Sequence, residues 1–187
     1  MAVPTAQEQC WLVERVEHPV LPLALACDPS GALCAVALHA KAAIIDEAAK
    51  SAGVEQVQRH QGAPSEAARQ LQAFLVGELT RFELCLNLHG TPFEKEVWGA
   101  VASIEWGQTR SYGQLATQLG RPGASRAVGR ANGANPVPLV VPCHRVVGSD
   151  GSLTGFAGGV KTKAWLLERE AAQTQLFGNQ PSGAGRG

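Results

Sequence analysis

The chain has 187 residues, 45% of them hydrophobic, and its 16 basic and 16 acidic side chains cancel. That length allows one large domain or two small ones with a buried core, and no apolar run approaches the roughly 20 residues of a membrane span. The first residues lack the basic start and apolar core of a secretory signal, so no membrane partner is expected.

Five cysteines are spread irregularly along the chain: Cys10, Cys27, Cys34, Cys85 and Cys143. An odd number without regular spacing argues for reduced thiols in a cytoplasmic protein rather than for a disulfide framework. A structural zinc ion bound by Cys10, Cys27, Cys34 and His89 is one hypothesis, but this spacing matches no compact zinc motif. Isolated buried cysteines are the favoured interpretation, and no cofactor is expected.

Apolar runs between turn signals predict strands at residues 10–17, 20–27 and 32–38. An alanine-rich stretch predicts a helix at 40–52, and Ser65 is placed to cap a second helix that runs to Leu79. Alternating apolar residues at 82–88 predict a further strand with one buried face. Residues 1–90 are therefore expected to form a small α/β domain around an antiparallel sheet.

The second half of the chain predicts three helices before the last cysteine. Apolar residues at helical spacing predict the first at 93–104, and Ser111 with Gln114 forms a capping box before the second at 112–119. A glycine-containing turn leads to the third at 125–132, which completes a helix-turn-helix pattern. Small residues dominate this third helix and its end: Ala127, Gly129, Ala131 and Gly133.

Residues 106–149 contain no acidic residue but five arginines: Arg110, Arg121, Arg126, Arg130 and Arg145. A purely basic stretch in a neutral protein indicates an anionic partner. The slim third helix could approach a narrow groove of nucleic acid, and Arg126 stands at its beginning, where phosphate is favoured. Close packing of this helix inside the core is the alternative interpretation.

Cys143 is the candidate nucleophile, because it stands in a short polar group flanked by valines, Val-Val-Pro-Cys-His-Arg-Val-Val-Gly. Pro142 ends regular structure, which predicts a tight turn inside a hydrophobic wall. The cationic neighbours His144 and Arg145 would lower the pKa of the thiol, and the thiolate is the reactive form. A buried, inert cysteine is the alternative. The place of Cys143 directly after a DNA-binding pattern favours chemistry on nucleic acid.

Beyond the cysteine motif, a loop at 148–159, a last helix at 161–172 and a disordered tail at 173–187 are expected.

Five short motifs occur in the order and spacing of one known family: Ser111-Tyr112-Gly113, Arg126-Ala127-Val128-Gly129, Asn135-Pro136, Pro142-Cys143-His144-Arg145-Val146 and Gly158-Gly159. On these motifs, residues 92–172 closely resemble the O6-alkylguanine-DNA alkyltransferases, also called methylated-DNA–protein-cysteine methyltransferases. The resemblance implies an α/β fold. An RNase H-like antiparallel sheet domain at 1–90 would precede a mostly helical, winged-helix-like domain at 91–172.

The resemblance also implies the chemistry. Cys143 would accept the alkyl group of O6-alkylguanine, or of O4-alkylthymine, once and irreversibly after the base is flipped out of double-stranded DNA. His144 would act through a water as the base for Cys143, and Glu170 would orient His144. Tyr112 would donate a proton to the leaving guanine, and Asn135 would brace the turn that holds Cys143.

Arg126 would fill the vacated place in the base stack, since flipping a base costs a few kcal/mol. Further DNA contacts are expected from Ser111, Tyr112, Ala127 and Gly129. Pro138, Phe156, Ala157 and Gly158 are expected to line the alkyl pocket. Phe156 and Ala157 lack hydroxyls that some family members carry, which bears on substrate range. A monomer on DNA is expected, with cooperative assembly left open.

Three other functions are weighed against this one. A non-catalytic sensor of alkylated DNA would lack the acceptor thiol, whereas Cys143 is present. A sequence-specific transcription factor is disfavoured because the small-residue helix offers few side chains that could read base edges. A cysteine hydrolase would release its product and turn over many times.

Overall fold

The computed structural model describes residues 10–178, and its first part is a four-stranded sheet in the order β3-β2-β1-β4. The strands are β1 (Cys10–Val16), β2 (Leu23–Cys27), β3 (Leu33–Leu38) and β4 (Gln56–Arg59). Pairing is antiparallel between the first three strands and parallel between β1 and β4. Two helices complete this part, α1 (Ala42–Ser51) and α2 (Glu66–Val76).

The second part is mostly helical. Its elements are α3 (Pro92–Ala102), β5 (Arg110–Ser111), α4 (Tyr112–Gln118), α5 (Ser125–Gly133), a 3-10 turn (Cys143–Arg145), β6 (Val146–Val147) and α6 (Val160–Gly178). The short strands β5 and β6 pair in parallel, so the segment after the 3-10 turn lies beside the start of α4. This pairing joins the predicted helix-turn-helix to the cysteine motif.

Helix starts follow the capping residues of the sequence. Ser65 accepts a hydrogen bond from the backbone of Ala68 at the start of α2. The capping box of Ser111 and Gln114 is present at α4, as predicted. Thr91 and Glu94 form a second box at α3, which satisfies backbone donors that the first turn leaves without helical partners.

The sheet buries both of its faces because successive side chains of a strand point to opposite sides. Leu23 and Leu25 of β2 join the main core, which continues through α2, α3, α4 and α5 to Leu166 of α6. Ala24 and Ala26 of the same strand face the other way, into a smaller cluster beneath α1. One apolar core therefore connects the sheet to the helices around Cys143.

Two strand predictions need correction. Residues 82–88 form no strand: they make one bridge, Leu86 to Leu33, while Phe82, Leu84 and Leu88 pack onto the core from a loop. Conversely, β4 was missed because its Gln-Val-Gln-Arg residues are all exposed and show no apolar alternation. That strand is defined only by its pairing with β1.

The four proposed zinc ligands are not brought together. Cys27 faces the main core and Cys34 the cluster beneath α1, on opposite sides of the sheet. Burial raises their pKa values to about 11 and about 12, so both are neutral thiols at pH 7. Among residues 10–178, no group of three or more His, Cys, Asp or Glu side chains is placed to hold a metal ion.

The last helix is longer than predicted. It runs to Gly178, so residues 173–178 are helical and not part of a disordered tail. Gln173 there donates to the carbonyl of Gly77 at the end of α2, a tertiary contact that helps to explain the extension. Residues 179–187 of the predicted tail lie outside the described part. None of the described helices combines the length and apolar character needed to cross a membrane.

Candidate active site

Cys143 begins the 3-10 turn directly after Pro142, as the sequence predicts, and is buried with 5% of its surface exposed. Asn135 holds the chain just before this turn. Its amide nitrogen donates to the carbonyl of Val141 at 2.8 Å, and its oxygen accepts from the backbone of Val137 at 3.0 Å. The predicted bracing contact is therefore present.

A pocket of about 220 Å³ opens onto Cys143. Its lining comes from α4, α5 and the two loops on either side of the 3-10 turn: Tyr112, Gly129, Asn132, Gly133, Asn135, Pro138, Cys143, Gly155, Phe156 and Ala157. Tyr112 lies against the small face of α5, since a Cβ at Gly129 would be 3.7 Å from its ring. Glycines thus leave room for a ligand beside the thiol.

His144 and Glu170 are joined by a 2.7 Å hydrogen bond, and both side chains are 0% exposed. The carboxylate of Glu170 also accepts from Nε and Nη2 of Arg145, at 2.9 and 3.1 Å, and from the backbone of Gly107 at 3.1 Å. Burial alone would raise the pKa of Glu170, but the bonds and charges of His144 and Arg145 outweigh it and lower the pKa. Glu170 is therefore ionised at neutral pH.

An ionised Glu170 fixes the state of His144. Because the carboxylate accepts at Nε2, the ring proton lies there, and Nδ1 carries the lone pair. Burial lowers the pKa of His144, against the opposing effect of Glu170, so the ring is neutral at pH 7. Nδ1 is buried and has no hydrogen-bond partner among the described residues. This nitrogen can accept a proton.

The thiol of Cys143 does not have the lowered pKa that its sequence neighbours suggest. Burial raises it to about 11, although a hydrogen bond with Asn135 and the charge of Lys163 act in the opposite direction. The sequence neighbours do not offset this effect of burial, because His144 is neutral and the guanidinium of Arg145 is paired with Glu170. The thiol is protonated at neutral pH and needs a base to become a nucleophile.

Lys163 is a neighbour of the thiol that sequence reasoning missed. It is 0% exposed, and its Nζ donates to the carbonyls of Val146 at 2.5 Å and Thr154 at 2.8 Å. It ties the strand after the 3-10 turn to the following loop and puts a cation near Cys143. No motif marks it, and a lysine on a helix is usually solvated. The pocket residues Asn132, Gly133 and Gly155 were missed as well.

The candidate DNA-binding residues lie on the outer side of α4 and α5. Arg126 and Arg130 are exposed on α5, with Gly129 between them and Ala127 half-buried. Ser111 caps α4 directly before Tyr112. Two of the five arginines in the basic stretch are paired with acidic residues: Arg145 is buried against Glu170, and the exposed Arg121 forms an ion pair with Glu96 at 2.7 Å.

The pocket loop, residues 155–159, carries three of the four predicted pocket-lining positions. Phe156 and Ala157 line the pocket, with Pro138 on another loop. Gly158 lies outside the lining and instead faces Leu38 at the end of β3, and its carbonyl accepts a hydrogen bond from Thr162 of α6 at 2.7 Å. The Phe156 ring meets that of His144 edge-on, with centroids 6.2 Å apart.

Comparison with known proteins gives consistent matches. The family model described as 6-O-methylguanine DNA methyltransferase, DNA binding domain, matches residues 92–172. The chain is 54% identical over 112 residues to the methylated-DNA–protein-cysteine methyltransferase of Mycobacterium tuberculosis (strain ATCC 25618 / H37Rv), covering 60% of this chain and 68% of the relative. It is 42% identical over 164 residues to the Shigella flexneri protein of the same name, covering 85% and 95%.

Solved structures agree in fold. The M. tuberculosis OGT crystal structure in complex with DNA superposes with a TM-score of 0.74 at 40% identity, covering 88% of this chain and 94% of that chain. The O6-methylguanine-DNA methyltransferase of the archaeon Pyrococcus kodakaraensis superposes with a TM-score of 0.64 at 29% identity, covering 86% and 98%. The similarity therefore extends over the sheet as well as the helices.

Proposed function

The chain belongs to the family of methylated-DNA–protein-cysteine methyltransferases, and on that premise we propose that it repairs DNA by moving the alkyl group of O6-alkylguanine to Cys143. O4-alkylthymine is proposed as a second substrate. The observation that carries the proposal is a buried thiol that lines a small pocket and lies next to the buried His144–Glu170 pair. No bound cofactor is needed for this transfer.

We propose that proton transfer precedes attack. Nδ1 of His144 takes the proton of Cys143 through a bridging water, while Glu170 holds the opposite ring nitrogen and stabilises the imidazolium. The imidazolium that forms on His144 is stabilised by the ionised carboxylate of Glu170, whose oxygen lies 2.7 Å from Nε2. The buried cation of Lys163 stabilises the thiolate that results.

The transfer itself forms one bond and breaks one. The sulfur of Cys143 attacks the alkyl carbon as the bond from that carbon to guanine O6 breaks, and the electron pair stays on guanine. The hydroxyl of Tyr112, which lines the same pocket, donates a proton to the leaving base. The product is a thioether, which this site has no means to hydrolyse, so each molecule reacts once.

DNA is the partner, and the flipped base would enter beside α5. Its glycines allow the duplex to approach closely, while Arg126 at its first turn would occupy the gap in the base stack. Ser111, Tyr112, Ala127 and Gly129 would contact the flipped nucleotide or its phosphates. Pro138, Phe156 and Ala157 would contact the alkyl group, with Gly158 supporting them from behind.

The remaining features are proposals of the same kind. Residues 1–90 and 91–172 would be the two domains, and the protein would act on DNA as a monomer, with cooperative assembly a separate hypothesis. Its five cysteines are all free, and four of them are buried, which supports a reducing, cytoplasmic setting.

Mass spectrometry tests the proposal directly. After incubation with duplex DNA containing O6-methylguanine, one methyl group per molecule is expected on the tryptic peptide that holds Cys143. Cys143→Ala should transfer nothing but still bind the DNA, and Cys85→Ala should react like the wild type because Cys85 lies on an exposed loop. In the wild type, methyl on Cys85, many turnovers per molecule, or DNA binding without transfer would each refute the proposal. DNA binding without transfer would indicate a damage sensor.

A further inference from the structure

The pocket loop is held from outside the helical part by a side chain in the turn that follows β3. Nε2 of His39, in the turn after β3, lies 3.1 Å from the carbonyl oxygen of Gly158 and donates a hydrogen bond to it. The residues are 119 positions apart in sequence. The other donor to this carbonyl, Thr162, lies in the first turn of α6 and is a local contact. His39 thus ties the sheet to the pocket wall.

The backbone at His39 and Ala40 adopts an uncommon conformation. His39 has φ 57° and Ala40 has φ 49°, so two consecutive residues other than glycine adopt the left-handed conformation. Such residues are uncommon and persist only where surrounding contacts enforce them. Ala40 supplies one such contact, since its backbone nitrogen donates to the carbonyl of Pro22 at 2.9 Å.

The loop is pressed closely against the end of β3 at the same point. A Cβ added at Gly158 would lie 2.9 Å from Cδ1 of Leu38 and 2.9 Å from the ring of Phe156. Phe156 lines the pocket and meets the ring of His144 edge-on. A movement of the Gly158 backbone away from the sheet therefore moves the wall that faces the alkyl group.

The loop has the conformational freedom to move if it is released. Gly155 and Gly159, at its two ends, have φ values of 36° and 85°, a region that glycine enters without steric cost. Leu38, Thr162 and His39 are the contacts that oppose such a movement at Gly158. His39 can be replaced without disturbing the core, and its Nε2 also lies 3.3 Å from Oγ1 of Thr162, so it supports both contacts of the Gly158 carbonyl.

We propose that His39 is a specificity-determining positioning residue that sets the width of the alkyl pocket through Gly158. The inference rests on the proposed alkyl transfer to Cys143. With the hydrogen bond in place, Phe156 and Ala157 stay close to the thiol and favour a methyl group. Without it, the wall recedes, methyl transfer slows because the small group is held less firmly, and larger alkyl groups are accommodated better.

The test compares single-turnover rates on one duplex that carries either O6-methylguanine or O6-benzylguanine at the same position. His39→Ala should raise the benzyl-to-methyl rate ratio by about three- to tenfold, the range that corresponds to one net hydrogen bond. Hydrogen exchange of the peptide that covers residues 155–159 should become faster in the same variant. His60→Ala is the matched control, because His60 donates in the same way to Ala63, remote from the pocket.

Two further variants separate positioning from stability. His39→Gly relieves the left-handed strain but removes the donor, so the rate ratio should rise although the melting temperature does not fall. His39→Gln keeps a donor of similar reach but not the backbone preference, so the ratio should return to the wild-type value although the protein melts earlier. A wild-type ratio in His39→Gly, or a raised ratio in His39→Gln or His60→Ala, would overturn the inference. If the wild type transferred no alkyl group to Cys143, the proposed function would fail first, which the same assay distinguishes.

Discussion

At the scale of single residues, Glu170 determines the chemistry because one buried carboxylate serves four donors at once. It fixes the tautomer of His144, neutralises Arg145 and binds the backbone of Gly107. Each of these bonds presents a hydrogen to the carboxylate. A neutral amide cannot satisfy them all, since half of its polar groups are donors themselves.

Replacing Glu170 by Gln should therefore reverse the His144 tautomer as well as remove a charge. When the amide nitrogen faces the ring, Nε2 becomes the acceptor and Nδ1 carries the proton, so it can no longer receive one from Cys143. The rate with free O6-benzylguanine should fall at least tenfold at pH 7, a loss of about 1.4 kcal/mol of transition-state stabilisation. It should recover partly towards pH 10, because a thiol with a pKa of about 11 then begins to ionise unaided.

The measurement is a rate–pH profile with the free base, which requires no DNA binding. Glu168→Gln is the control on the same helix, because Glu168 is exposed. Leaving Arg145 without its buried partner also costs about 3 kcal/mol of folding free energy, so the assay is run well below the melting temperature. If the rate–pH profile of Glu170→Gln had the same shape as that of the wild type, Glu170 would be structural and the proton relay would be wrong.

At the scale of elements, α3 and α5 show how the same residue type can have two different roles. Gly99 of α3 is exposed, with nothing within 4 Å of an added Cβ, whereas Gly129 of α5 lines the pocket and a Cβ added there would lie 3.7 Å from the ring of Tyr112. Glycine inside a helix costs about 1 kcal/mol relative to a good helix former. No neighbouring atom requires a glycine at position 99, whereas the glycine at position 129 leaves space in the pocket beside Tyr112.

Gly99→Leu and Gly129→Leu should therefore separate stability from activity. Gly99→Leu should raise the free energy of unfolding by about 0.5–1 kcal/mol and leave the repair rate unchanged. Gly129→Leu gains the same helix propensity but fills the pocket beside Tyr112, so repair should fall at least tenfold, measured against the same duplex. Equal rates for the two variants would show that the small face of α5 is not an entry surface for the base.

The elements also show what the sequence could predict. Capping residues and turns are local signals, so Ser65, the Ser111–Gln114 box and the turn at Cys143 were identified correctly. β4 depends on pairing with β1, a distant partner, and its polar residues give no periodic signal. The loop at 82–88 has the alternation of a strand but only one bridging residue. Lys163 is charged yet buried, a combination defined by tertiary contacts that no spacing rule contains.

At the scale of the whole molecule, buried titratable groups limit stability on both sides of neutral pH. His144 has a lowered pKa in the folded state, so below its ordinary value of 6.5 the unfolded chain binds more protons and stability falls as pH falls. The pKa of Glu170 is also lowered in the folded state, so this residue adds to the loss of stability further into the acid range. Cys27, Cys34 and Cys143 have raised pKa values, so above the ordinary thiol value of 9.0 the unfolded chain releases protons first and stability falls again.

The free energy of unfolding, measured by urea denaturation from pH 4 to pH 10, should thus be largest between about pH 6.5 and 9. Cys143→Ala should make the alkaline decline less steep without changing the acid one, because it removes one of three raised thiols. An alkaline limb that is identical in Cys143→Ala and wild type would mean that the folded protein does not hold this proton.

The accessibility of the cysteines has a practical consequence for observing this protein at work. Cys143 and three other thiols are buried, and Cys85 alone of the five is exposed. Cys85 lies on the loop at 82–88, where its own carbonyl accepts a hydrogen bond from the backbone of Leu33. A maleimide dye should therefore attach at one defined point on the sheet side, away from the helices that face DNA. Individual molecules could then be followed by fluorescence microscopy as they search along a stretched duplex and stop at a lesion, with the reactive sulfur still intact.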